Sequence, residues 1–257
     1  MAFTAEKISK GAKTLPRKVI IYGPPKLGKS TLAGSAKNAL MIPTEDRVAH
    51  IKCDKTPVVK DYSEILEIFD YLITKKHSYK RVILDSLDWA EPLLHAYICK
   101  KKGLTSLTDD HNKETAFQKG LKYLAVEGWK GLLYNCDVLR DHGMDVIVVA
   151  HSTTITVSPP DTDSYDKAVM KIDKNALSVV EEWADVIAFY TQEIFVKKDE
   201  KTLQKKGKAI TSKKRILHLS GENPAMINGN SFGLGDVEVS LEFCQDIMEW
   251  LLTANEN

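Results

Sequence analysis

The chain has 257 residues, 43% of them hydrophobic and 28% charged, with a formal net charge of +1. That is ordinary globular composition, and so small a net charge excludes a global attraction to nucleic acid, leaving only local patches for such binding. The length suits one large α/β domain or two small ones, no stretch reaches the roughly 18 apolar residues of a membrane span, and Cys53, Cys99, Cys136 and Cys244 form no C-x-x-C pair, so buried free thiols are expected rather than structural zinc.

Residues 1–16 are polar and lysine-rich and lack the apolar core of a signal peptide, so they read as a flexible tail ahead of a single domain over 17–257, with a cytoplasmic location expected. The first predicted strand is Lys18 to Tyr22, with a β-branched Val19-Ile20-Ile21 run. It leads into Gly23-Pro24-Pro25-Lys26-Leu27-Gly28-Lys29-Ser30, which fits G-x-x-x-x-G-K-[ST] at every fixed position. Gly23 and Gly28 let the backbone curl so that N–H groups face phosphate oxygens. Lys29 supplies a cation for the β- and γ-phosphates, and the Ser30 hydroxyl completes a Mg²⁺ shell. With Thr31, this segment is the expected ATP site, followed by a helical run from Ser30 to Ala39.

The next predicted strand, Ala39 to Pro43, runs into Thr44-Glu45. A carboxylate at such a strand end can orient and deprotonate the water that attacks a γ-phosphate, or can be a solvated loop acid. Ile65, Leu66, Ile68, Phe69, Leu72 and Ile73 mark one buried helical face. The apolar strand Arg81 to Asp85 ends in an acid followed by Ser86; after a P-loop, that acid is expected beside Mg²⁺. Asp88 and Glu91 read as helix-start acids, and Lys100-Lys101-Lys102 complement the helix C-terminus.

Phe117, Leu121, Leu124, Leu132, Cys136 and Leu139 predict a long helix ending near Asp141. The strand Asp145 to Ala150 is closed by His151, which could contact the γ-phosphate or be a satisfied residue near the surface. A further strand spans Val186 to Tyr190. Between Lys197 and Arg215 nine basic residues face two acidic ones, a local charge of +7. That pattern fits a solvated hairpin or a salt-sensitive phosphate-backbone contact, with Lys205, Lys206, Lys208, Lys213, Lys214 and Arg215 the contacting residues. A Gly/Asn-rich loop (228–235) and an amphipathic helix through Leu241, Cys244, Ile247, Met248 and Leu251 close the chain. The whole predicts an α/β fold: a mostly parallel sheet flanked by helices, with a short antiparallel C-terminal extension.

The order GPPKLGKS, MIPTED, VILDSLDW, the helix with Trp129, VIVVAHS and EEWADVIAF resembles the RecA-like core, and more closely the phage single-strand annealing ATPases built on a shortened RecA core. The resemblance covers roughly Lys18 to Leu252. It implies an ATPase using ATP and Mg²⁺, with Lys29 and Ser30 on phosphate and metal, Asp85 as the second metal-side acid and Glu45 as catalytic carboxylate. It also implies that His151 senses the γ-phosphate and leads into a DNA-binding loop, Ser152 to Lys174. There Tyr165, Lys167, Lys171 and Lys174 would meet single-stranded DNA through stacking and charge. A ring or filament of identical subunits, and a single-strand binding protein as partner, are implied as well. Where relatives carry a Lys-Asn-Arg or Lys-Asn-Lys cation pair, this chain has Gly229-Asn230-Ser231; hydrolysis is then slow, or Lys213, Lys214 or Arg215 substitutes. Two other classes compete: a nucleotide-gated interaction protein of the helicase-loader type, and a small-molecule phosphotransferase, for which an arginine-bearing lid is missing. No Asn-Lys-x-Asp guanine motif appears.

Overall fold

The computed structural model describes residues 11, 14–197 and 208–254. The strand β1 (Lys18–Gly23) lies between two parallel neighbours that are distant in sequence, β5 (Asp145–Val157) and β7 (Val186–Lys197). Beyond β5 follow β4 (Arg81–Asp85), β2 (Ala39–Pro43) and the short β3 (Asp54–Lys55), all parallel. Beyond β7 the sheet turns antiparallel through β8 (Lys208–His218) and β10 (Val237–Val239), while β9 (Gly229–Asn230) also pairs with β7. The sheet is therefore mixed, with a parallel centre and an antiparallel edge, as the sequence pattern predicts.

The parallel strands are apolar on both faces because both faces are covered. Ile20, Tyr22, Ile42, Leu84 and Val148 face α2 (Tyr62–Thr74), α3 (Leu87–Lys102), α4 (Val126–Asp141) and α5 (Lys174–Trp183), with Trp129 fully buried among them. Val19, Ile21, Met41 and Ile83 face α1 (Lys29–Gly34) and α6 (Cys244–Thr253). Each pair of adjacent residues in β1 thus serves two separate cores, the period-2 consequence of a strand. Two polar clamps hold α6 in place. The Arg81 guanidinium donates to both carboxylate oxygens of Glu249, at 2.6 and 2.9 Å, and Arg17 donates to the Leu251 carbonyl at 2.7 Å and lies over the Phe232 ring. Cys136 and Cys244 are buried and Cys53 and Cys99 half-buried, all four as free thiols; burial pushes Cys136 up to about 12.

Four sequence expectations need correction. The helix after the P-loop stops at Gly34 rather than Ala39, because Gly34 packs on Ile51 and Met41 and the chain must reverse through Asn38 (φ 51°) to enter β2. Phe117 is not on a buried helical face: it is 88% exposed, and it and Gln118 adopt left-handed φ values of 57° and 61°, which break the helix before a π-helical turn at Gly120–Ala125 leads into α4. Ser152 to Lys174 is a β-hairpin rather than a loop: β5 runs on past Ala150 to Val157 and pairs with β6 (Tyr165–Met170), after which α5 begins. The strand predicted over Val186 to Tyr190 instead runs on to Lys197 and forms a long antiparallel pair with β8. Among the described residues no helix is long and apolar enough to cross a membrane.

Candidate functional site

The segment between β1 and α1 is curled by two residues in the left-handed region, Lys26 (φ 65°) and Gly28 (φ 96°). At Gly23 the constraint is space: a Cβ there would overlap the Tyr190 carbonyl oxygen of the adjoining β7. Inside the curl Lys29 is buried, its Nζ donating to the carbonyls of Gly23 (3.0 Å) and Pro24 (2.8 Å). Burial holds the Lys29 pKa below the ordinary lysine range, against the opposing pull of Asp85, Asp88 and Glu45. The ammonium is thus presented on weak neutral acceptors, which an anionic oxygen can displace.

A cleft of about 480 Å³ opens over this loop, at the carboxyl ends of the parallel strands. Of the predicted nucleotide-binding residues, Pro25, Lys26, Gly28, Lys29, Ser30 and Thr31 line it. Gly23, Pro24 and Leu27 do not: the first two supply carbonyls to Lys29, and Leu27 packs on the α1–α6 side of the sheet. Glu45, Asp85 and His151 line the same cleft, so all four predicted catalytic residues meet there from four different elements.

Thr44 explains why Glu45 and Asp85 lie side by side. Its hydroxyl accepts from the Ser86 N–H at 2.8 Å and donates to the Ser86 carbonyl at 2.9 Å, and its own N–H donates to the Asp85 carbonyl at 2.7 Å. The ends of β2 and β4 are thereby latched together. Asp85 is completely buried, and its carboxylate oxygens make no hydrogen bond of normal geometry among the described residues, although the Ser30 hydroxyl stands close to them. Burial raises its pKa, with the Ser30 hydroxyl opposing, Glu45 adding to the rise, and Lys29 and His151 opposing. An orphaned buried carboxylate facing a hydroxyl is a costly arrangement in isolation and a suitable one for a hard cation. Ser30 and Asp85 therefore fit Mg²⁺.

The sequence reading missed Asp88. Its Oδ1 accepts the His151 N–H at 3.0 Å, and its Oδ2 lies 2.9 Å from the His151 ring Nδ1. Burial would raise the Asp88 pKa, but the His151 side chain and backbone, with the Ser86 hydroxyl, hold it below the ordinary carboxylate range. Glu91, one turn further along α3, accepts from the Asp173 N–H (2.9 Å) and the Trp129 indole (3.3 Å). Both feet of the β5–β6 hairpin thus rest on acids of α3, and Lys171 N–H donates to the His151 carbonyl between them at 2.8 Å. Arg47 and His50, exposed residues after Glu45, also line the cleft; no motif marked them.

The predicted nucleic-acid residues divide. On the hairpin, Tyr165 and Lys167 are half-buried, with Lys167 beside Glu181, while Lys171 and Lys174 are exposed. Residues 152–174 carry four aspartates against three lysines, so the hairpin is not a basic surface. Lys205 and Lys206 lie outside the described residues, and Lys208 and Lys213 are placed in β8. Lys214 is exposed and paired with Glu238 at 3.0 Å. Arg215 lines the cleft over the P-loop, the place expected of a substitute cation rather than of an outer basic surface. At Gly229-Asn230-Ser231, the Asn230 side chain is a clasp, donating to the Leu219 and Leu234 carbonyls and accepting from the Phe232 and Leu234 N–H groups.

A phosphate-sized curl after the central strand, a lysine inside it and an acid on a nearby parallel strand define a P-loop NTPase. Residues 15–220 match the AAA domain, and the chain belongs to that family of ATP-binding, ATPase-associated domains. No curated protein matches the chain.

Proposed function

We propose that this protein is a RecA-like, Mg²⁺-dependent ATPase that binds single-stranded DNA and promotes annealing or recombination, with the β5–β6 hairpin as the nucleotide-controlled element. The observation that carries the reading is the position of His151. It lines the cleft with Lys29, Glu45 and Asp85 and is also the residue from which the hairpin departs.

In this reading Lys29 leaves its two carbonyl acceptors for the β- and γ-phosphate oxygens, and Ser30 and Asp85 hold Mg²⁺. Bound there, the ion would neutralise charge developing on the phosphate oxygens. Glu45 orients a water for in-line attack on the γ-phosphorus. The new bond is water oxygen to phosphorus; the bond to the β,γ-bridging oxygen breaks with its electrons leaving on ADP, and the water proton passes to Glu45 and on to solvent. His151 donates to the γ-phosphate only when that group is present. Its loss releases the ring, and the ring is continuous with the hairpin foot. DNA would be met by Tyr165 and Lys171 of the hairpin and its foot, by Lys174 at the start of α5 and by lysines of the β7–β8 segment, in an assembly of identical subunits.

The test is ATPase rate with and without single-stranded DNA, alongside strand annealing, for wild type and Lys29→Ala. Annealing lost with Lys29→Ala and an ATPase rate raised by DNA support the reading; equal annealing and a DNA-independent rate overturn the coupling. A second reading has its own observation. The exposed Thr153-Thr154-Ile155-Thr156 edge and aspartate-bearing tip suit a protein partner better than a phosphate backbone, as in a nucleotide-gated loader. Hairpin-dependent binding to a helicase without DNA affinity would select it.

A further inference from the structure

We propose that Arg215 is the transition-state cation of this ATPase and that it acts in cis, on the nucleotide bound by its own subunit. The inference rests on the reading of the cleft as an ATP site. Three observations carry it. Arg215 lines the cleft together with Lys29, Glu45, Asp85 and His151, although it lies 186 positions after Lys29 in the chain. It gets there through pairing: β7 runs beside β1, β8 runs antiparallel to β7 with Arg215 opposite Gln192, and the strand alternation that sends Lys214 outward to Glu238 sends Arg215 inward.

The guanidinium is also incompletely used. Its Nη1 is buried and makes no hydrogen bond of normal geometry among the described residues, and the guanidinium lies against the neutral Tyr190 hydroxyl, which a phosphate oxygen can replace. A buried orphan donor on a fixed positive charge costs stability unless an acceptor arrives. The acceptor that suits a planar donor fork beside a buried lysine is a phosphate oxygen. Finally, the segment at Gly229-Asn230-Ser231 contains no cation, and its asparagine is committed to holding its own turn. Arg215 is then the guanidinium rooted in the sheet itself, whereas Arg47 stands on an exposed loop. As the γ-phosphoryl group separates from the bridging oxygen, charge builds on its peripheral oxygens, and a guanidinium already in the cleft stabilises that charge without reorganisation.

The experiment compares wild type, Arg215→Ala and Arg215→Lys for ADP affinity, for ATP turnover and for trapping of ADP with aluminium fluoride, a mimic of the transferring phosphoryl group. Arg215→Ala should lose ~10³-fold in turnover and the aluminium fluoride complex, while ADP affinity moves by less than about threefold; Arg215→Lys should recover part of the turnover. Arg215→Ala should also stay inactive when mixed with Lys29→Ala. Restored activity in the mixture would show that the arginine serves a neighbouring subunit and would overturn the cis assignment. Equal loss of ADP affinity and turnover in both variants would mark Arg215 as structural and overturn the proposal. Failure of the wild type to bind ATP at all is a distinct result, which would remove the nucleotide reading itself.

Discussion

Asp88 holds His151 at two points 63 positions away in sequence, by the backbone N–H and by the ring Nδ1. With Nδ1–H donated to the carboxylate, Asp88 fixes the orientation of the ring and leaves Nε2 as the nitrogen available to the cleft. Asp88→Asn should therefore lower ATP turnover about tenfold while leaving ADP affinity within about twofold, because ADP lacks the group that His151 would meet. Steady-state ATPase assays with ADP titration check this. Parallel loss of both quantities would mean that Asp88 merely holds the fold.

Asp85 makes a prediction of opposite sign for stability and activity. Its folded-state pKa is raised, mainly by burial, so between the ordinary carboxylate range and that raised value the folded state holds more protons than the unfolded. Stability of the nucleotide-free protein from this group therefore falls as pH rises through that window, and the penalty is complete above it. Asp85→Asn should melt higher than wild type at pH 7, by ~2–4 °C for each kcal/mol relieved, with the difference shrinking toward pH 4, while ATP hydrolysis is lost. Melting curves across pH 4–8 measure it; a variant that melts lower at pH 7 would show that Asp85 contributes to the fold.

Glu249 should behave in the ordinary acidic way. Burial opposes its ionisation, but the Arg81 guanidinium and the Lys37 N–H hold its pKa below the usual glutamate range. Its contribution is present above the unfolded value and disappears as pH falls through the folded one. The pair is only partly shielded, with side-chain exposures of 11% and 26% for Arg81 and Glu249. Glu249→Ala should cost ~2 kcal/mol in urea unfolding at pH 7, and less at pH 3.

Two glycine substitutions separate space from conformation. Gly23→Ala forces a methyl group into the Tyr190 carbonyl and should cost more than ~3 kcal/mol or abolish soluble expression. Gly131, inside α4, has open space where a Cβ would stand, and Gly131→Ala should stabilise by ~0.5–1 kcal/mol. Chemical denaturation of both proteins gives the comparison directly.

The parallel strands and the P-loop were legible because their information is local: a β-branched run, a fixed spacing, a strand-end acid. What escaped the sequence depends on pairing over distance. Asp88 looks like any acid in a first helical turn until β5 brings His151 against it. Arg215 could be named only as one of three candidate cations with Lys213 and Lys214, until β8 alternation turns it toward the cleft. Phe117 sat in helical register with Leu121 and Leu124, yet two left-handed residues interrupt the helix there, a backbone event that side-chain periodicity does not report. The hairpin at 152–174 is hard to read from sequence because its exposed outer half, Thr153 to Thr156, is polar and threonine-rich and shows no clear apolar alternation.

The central place of β1 has a consequence for biosynthesis. This strand is synthesised well before its partners, since β5 and β7 begin at Asp145 and Val186. A nascent chain therefore carries Val19, Ile20 and Ile21 without both native neighbours until the strand that begins at Val186 has been made. Long-range closure of this kind is slow and leaves apolar strand edges open to wrong associations. Ribosome-stalled chains ending before about residue 190 should engage chaperones and resist no protease over residues 18–43, whereas released chains carrying all of 17–254 should protect that segment.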